Sequence, residues 1–147
     1  MAETSTMRPR VIHALRRLDA IPVENPRACP GTPDVNFVEG WIELKWLRAW
    51  PARPDTVVSI EHFTPQQRIR HRKRSAAGGS TWVLLQVRRE WLLLRGLVAA
   101  EHLGRVDRAT LIGLCHAYWP DGLVDEELLT CVSSNTSVSA SGASAPV

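Results

Sequence analysis

The run Thr81–Val87 (TWVLLQV) is apolar at nearly every position. It is short, and rich in branched and aromatic side chains, which favours a strand buried on both faces over a helix. A strand of that kind needs cover on both sides, so the chain cannot be a simple two-sided hairpin protein. Glu90–Leu94 reads as the next strand. Upstream, Val11, Leu15 and Leu18 recur at helical spacing, which predicts an amphipathic helix from about Arg8 to Asp19 with Thr6 as its N-cap. Residues 21–33 hold four prolines and one glycine and predict a loop or irregular strand. Asp34–Val38 and Trp41–Trp46 both alternate, and with Glu39-Gly40 between them they predict an antiparallel hairpin. A long loop follows over 47–63. Thr64-Pro65 then opens a helix, with Thr as cap and Pro at the first position, and Ala77-Gly78-Gly79 closes it. Arg108–Tyr118 reads as a helix with Leu111, Leu114, Cys115 and Tyr118 on one stripe, and Asp125–Val132 as a last short helix. The resulting expectation is an α/β (α+β) fold, a mixed β-sheet flanked by helices. Its organisation is a flexible 1–6, a single domain over 7–132 with its core at about 8–95 and a helical part at about 107–132, and a disordered Ser-rich tail over 133–147.

Hydrophobic residues make up 44% of the 147, enough for one core. No apolar run approaches the roughly 18 to 20 residues needed to cross a bilayer, and the start of the chain lacks a charged-then-apolar leader. The expectation is an intracellular, cytoplasmic protein without a membrane partner. The three cysteines form neither a disulfide framework nor a zinc spacing. No phosphate-binding loop, GxGxxG or Gx-Ser-xG is present, so neither a nucleotide cofactor nor serine chemistry is indicated. Net charge is +3, but its distribution matters more. Arg68, Arg70, Arg72, Lys73 and Arg74, together with His71, lie between Gln66 and Arg74 with no acid among them. Such a block suits a polyanion, or else it is a solvated basic helix face.

The hairpin carries the chemistry. With Glu39 and Gly40 as a two-residue turn, Val38 faces Trp41, Asn36 faces Glu43 and Asp34 faces Lys45. Val35, Phe37, Ile42, Leu44 and Trp46 then share an apolar face, and Asp34, Asn36, Glu43 and Lys45 share the other. Two readings of that polar face stand side by side. In one it is a solvent-facing sheet surface with an ion pair between Asp34 and Lys45. In the other, Asp34 and Glu43 converge on a hard divalent cation, with the Leu44 carbonyl as a further oxygen ligand. Lys45 then orients a water or neutralises a developing pentavalent phosphate.

Pro33-Asp34, eight residues, then Glu43-Leu44-Lys45 resembles the signature of the PD-(D/E)XK nuclease superfamily. Gly31-Thr32-Pro33-Asp34-Val35, Ile42-Glu43-Leu44-Lys45, Gln67, Ala77-Gly78-Gly79 and Trp82–Val87 follow the order of its VRR-NUC-like and Holliday-junction-resolvase-like branches, across about residues 8–95. The resemblance implies a restriction-endonuclease-like core and an endonuclease dependent on Mg2+, with Mn2+ as substitute. It also implies structured or branched DNA as the partner in replication, recombination or repair, and makes a bacteriophage source an expectation. It makes Asp34 and Glu43 the metal-binding acids, Lys45 the catalytic lysine, Gln67 a further site residue, and Glu24 the candidate upstream glutamate. The basic helix then supplies phosphate contacts, and Trp41 becomes a candidate for stacking on a base. A two-fold substrate would need a homodimer, for which the apolar Leu92–Tyr118 is a candidate surface unless it completes the core. Competing readings are a catalytically silent DNA-binding module on the same fold, and a nuclease acting on DNA ends or RNA.

Overall fold

The computed structural model describes residues 2–23 and 33–133. Helix α1 (Ala2–Ala14) is followed by a 3-10 turn (Arg16–Leu18) and strand β1 (Ile21–Pro22). Then come β2 (Val35–Phe37), β3 (Gly40–Leu47), α2 (Pro65–Ala76), β4 (Ser80–Val87), β5 (Glu90–Arg95), α3 (Gly96–His102), α4 (Arg108–Leu114), β6 (Ala117–Trp119) and α5 (Asp125–Ser133). The strands form one sheet in the order β1-β2-β3-β4-β5-β6. β3 and β4 are parallel, joined by a long loop and α2, and every other pairing is antiparallel. The fold is therefore α/β with a mixed sheet, as the buried run at 81–87 demanded.

Alternation along the central strands builds two cores. On one face Ile42, Leu44, Trp82, Leu84 and Leu93 pack under Met7 and Val11 of α1, Leu15 just after it, and Leu128 and Val132 of α5. On the other, Val83, Leu85, Leu92 and Leu94 pack under Ala99 of α3, its C-cap Leu103, Leu111 of α4, and Val58 and Phe63 of the long loop. Leu92–Leu94 and Leu111 lie wholly inside, so the Leu92–Tyr118 segment completes the core and does not present a broad apolar docking face.

Four sequence expectations are corrected. Helix α1 starts at Ala2 and encloses Thr6, which is not its cap, and it ends at Ala14, well short of Asp19. The helix predicted over Arg108–Tyr118 stops at Leu114, and Tyr118 lies in β6, where it pairs with Leu92. A helix at Gly96–His102 was not anticipated. The hairpin register also differs: Val35 pairs with Ile42, Asn36 with Trp41 and Phe37 with Gly40, so Val38-Glu39 is the turn. The shift is two residues, so each side chain keeps its face and only its cross-strand partner changes. Glu24, Cys29 and the tail from Ser134 lie outside the described residues.

Gly40 explains the register. A Cβ there would sit 1.9 Å from the Ser80 carbonyl oxygen and 2.7 Å from its carbon. The glycine is needed where β3 meets β4, so it belongs to the strand and not to the turn. Gly40→Ala is expected to destabilise the fold by about 3 kcal/mol, read as a lower urea midpoint at unchanged slope. A change under about 0.5 kcal/mol, which is ordinary for a surface substitution, would contradict this close approach.

Candidate active site

In the parallel register Glu43 lies beside Val83 and Lys45 beside Leu85, so both point into the core roofed by the long loop and α2. They are 2% and 6% exposed, which excludes a solvent-facing sheet surface. The ion pair expected between Asp34 and Lys45 does not form either. The Lys45 Nζ donates instead to Glu43 Oε1 at 2.9 Å and to the His62 carbonyl at 3.0 Å. His62 sits at φ +63°, an uncommon conformation for a non-glycine residue.

The corrected register brings Asp34 level with Glu43. Asp34 Oδ2 accepts from the Leu44 backbone N–H at 2.9 Å. The N–H and C=O of one strand residue point to the same edge, so the Leu44 carbonyl faces the Asp34 side, where β2 no longer pairs with β3. Asp34 Oδ1 accepts from the Arg8 guanidinium at 3.3 Å. Sequence reading missed Arg8. It borders the apolar stripe of α1, and no local pattern shows that α1 carries it to the end of β2.

Gln67 reaches the same carboxyl. Thr64 caps α2 in a reciprocal box, accepting from the Gln67 N–H at 3.2 Å while the Gln67 Oε1 accepts from the Thr64 N–H at 3.0 Å. That fixes the amide, whose Nε2 donates to Glu43 Oε1 at 2.8 Å. Gln67 is thus both the polar first-turn residue of a helix and a member of the cluster. Glu43 Oε1 therefore has two donors, while the buried Glu43 Oε2 has none. Burial first, then the negative charge on Asp34, raises the Glu43 carboxyl from 4.5 to about 8, against the lowering effect of Lys45.

A buried carboxyl oxygen beside a second carboxylate is costly while both are charged, so without a cation Glu43 keeps its proton, which Asp34 can share, and a cation at that oxygen would replace the proton. Among the described residues no three His, Cys, Asp or Glu side chains converge as a metal cage. What the site offers is two acids and a backbone carbonyl. That all-oxygen set fits a hard cation such as Mg2+, which keeps several of its waters.

The basic helix is only partly a surface. His71 is fully buried, its Nδ1 2.6 Å from the Thr81 hydroxyl, so the expectation that it touches phosphate is corrected. Burial, with help from Lys45, pushes its imidazole down to about 4. Arg68 is turned inward as well. It donates to the Ala100 and Leu103 carbonyls at 2.9 and 2.6 Å, closing the C-terminal end of α3, and its guanidinium lies 4.4 Å from the Phe63 ring centre. Arg72 and Lys73 remain exposed and Arg70 is half-buried. Arg74 lies over Trp41, 5.2 Å from the ring centre.

Fold and site together define an α/β protein with a buried acid and lysine, a half-buried glutamine on the acid, and a second carboxylate beside them. Among solved structures it is similar to the Archaeoglobus fulgidus protein Hjc, described as a Holliday junction resolvase from an archaeal hyperthermophile. The identity is 17% and the TM-score 0.46, over 75% of this chain and 90% of that one. No family model and no curated protein matches the sequence. No helix among the described residues is long and apolar enough to cross a membrane.

Proposed function

We propose that the chain is a divalent-metal-dependent endonuclease that hydrolyses phosphodiester bonds in DNA, with branched or junction DNA as the substrate class. The observation that carries the reading is the unpartnered Glu43 Oε2 beside Asp34, in a pocket where Lys45 and Gln67 both bind the other oxygen. A cation there would take the place of the proton that Glu43 otherwise shares with Asp34. Asp34, Glu43 and the Leu44 carbonyl would hold Mg2+ or Mn2+, and Glu24 is a candidate to join them. The ion would acidify a water and offset charge on the phosphate. Lys45, anchored on Glu43 and on the His62 carbonyl, presents an ammonium to the phosphate oxygens as negative charge builds on them. Gln67 locks the Glu43 carboxyl in place through its cap. Arg70, Arg72 and Lys73 provide phosphate contacts, which position a backbone without reading its sequence. A compact basic domain of this size is better suited to reading shape than sequence, hence the branched substrate. A homodimer would match a two-fold junction.

The test is incubation with linear, flap and four-way-junction DNA and with RNA, with Mg2+, Mn2+ or chelator. Metal-dependent cleavage is expected, strongest on branched DNA. Binding to DNA with no cleavage under any condition would replace this reading with a silent DNA-binding module.

A further inference from the structure

Beside the acids, the same face of the hairpin forms the wall of a cavity of about 190 Å³, lined by Asn36, Gly40, Trp41, Arg74, Gly79 and Ser80 among others. It is close to the metal candidates. Asn36 and Trp41, a cross-strand pair, lie two residues along their strands from Asp34 and Glu43, a step of about 7 Å. Its floor is the contact of β3 and β4 at Gly40, where no side chain fits above the Ser80 carbonyl. On its wall the Trp41 ring and the Arg74 guanidinium form a single flat stack, the guanidinium 5.2 Å from the ring centre, so an entering ring packs against that stack and not between its two members. The Asn36 amide is held at the rim by donating to the Gly40 carbonyl at 3.2 Å. Gly79 serves the arrangement too. A Cβ there would meet Arg74 Cγ at 2.9 Å and Cδ at 3.0 Å, so the absent side chain lets the arginine stem lie across the strand end.

A cavity near 150 Å³ takes one benzene ring, so this one has room for a single planar ring system. Planar aromatic and guanidinium surfaces are what unstacked bases pack on, whatever their identity. The geometry points to a subsite for one unpaired nucleobase, stacked against Trp41 and Arg74, on the nucleotide beside the phosphate held at Asp34 and Glu43. Its placement next to the reacting phosphate rests on the nuclease reading, whereas the cavity and its stack do not. A base lodged there must have left its helix, which selects DNA carrying an unpaired nucleotide at or beside a branch over uninterrupted duplex.

The test uses binding in chelator, which removes the cation that the proposed cleavage needs. A duplex with one bulged 2-aminopurine, and the same duplex fully paired, are titrated with the protein. Emission from the bulged probe is expected to fall at least about twofold, with binding about tenfold tighter than to the paired duplex. Trp41→Ala should lose both effects and Trp41→Phe should keep most of each. Arg74→Gln should weaken the preference without abolishing it. Circular dichroism of each variant reports the fold. Equal quenching and equal preference in folded Trp41→Ala would overturn the subsite, as would failure of the wild type to bind any DNA. Trp41-dependent quenching without cleavage when Mg2+ is restored would keep the subsite and remove the nuclease reading.

Discussion

Lys45→Met is expected to lower the single-turnover rate of DNA cleavage by about a hundredfold to a thousandfold while leaving the protein folded. The magnitude is that of removing one preorganised charge donor from a dry site. In the proposed nuclease Lys45 would be such a donor, being 6% exposed and anchored on Glu43 Oε1 and the His62 carbonyl. Removing one member of a buried ion pair ordinarily costs about 3–5 kcal/mol through the stranded partner charge. Here the partner escapes that penalty. The Glu43 carboxyl is raised to about 8 even with Lys45 beside it, so at pH 7 and without metal it is largely neutral. Methionine keeps the bulk of the stem against Phe63, whose ring lies 5.7 Å from the ammonium. Asp34→Asn should act as strongly on the rate. It retains an oxygen for the Leu44 N–H but loses the charge that draws a cation. Rates within twofold of wild type in folded Lys45→Met and Asp34→Asn would remove this cluster as the active site.

Local signals carried the fold furthest. The Thr64-Pro65 opening and the Ala77-Gly78-Gly79 closure depend only on neighbours in sequence, and α2 lies where they put it, with Gly78 at φ +88°. Strand phase also survived. Val35, Phe37, Ile42 and Leu44 fill one core, and Glu43 and Lys45 take the opposite face because alternation does not depend on the partner. What failed was what depends on distant chain. Gly40 looked like a turn glycine, but its reason is β4, which arrives forty residues later at Ser80. Which basic residues of α2 face inward depends on α3. That helix of seven residues begins at a glycine and offers too few turns for periodicity to register. With α3 unseen, Arg68 and His71 could not be sorted from Arg72 and Lys73. Tyr118 fitted a helical stripe with Leu111 and Leu114, but β5 offers an open edge, and pairing there outweighed local period.

Glu43→Gln is expected to stabilise the metal-free protein at pH 8 and to abolish its response to metal. The folded state holds the Glu43 proton up to about 8, whereas an unfolded glutamate releases it near 4.5. Between those values the native state binds more protons than the unfolded chain, so stability falls as pH rises through the window. The loss at its upper end is on the order of 3–5 kcal/mol. Glutamine fills the same volume, carries no charge to desolvate, and removes this slope. His71 works in the opposite direction and in a lower range. Its imidazole is pushed down to about 4, so its contribution is complete above its ordinary 6.5 and lost as pH falls toward 4. Melting temperatures compared between pH 7 and 8 therefore isolate Glu43. A cation at Asp34 and Glu43 competes with the same proton, so Mn2+ should raise the wild-type melting temperature more at pH 8 than at pH 6. Glu43→Gln should show no such metal shift, and Lys45→Met should retain it. If Glu43→Gln kept both the wild-type pH slope and the wild-type Mn2+ shift, the buried carboxyl would be neither the titrating group nor a ligand. The orphaned oxygen would then have to be satisfied from within the fold.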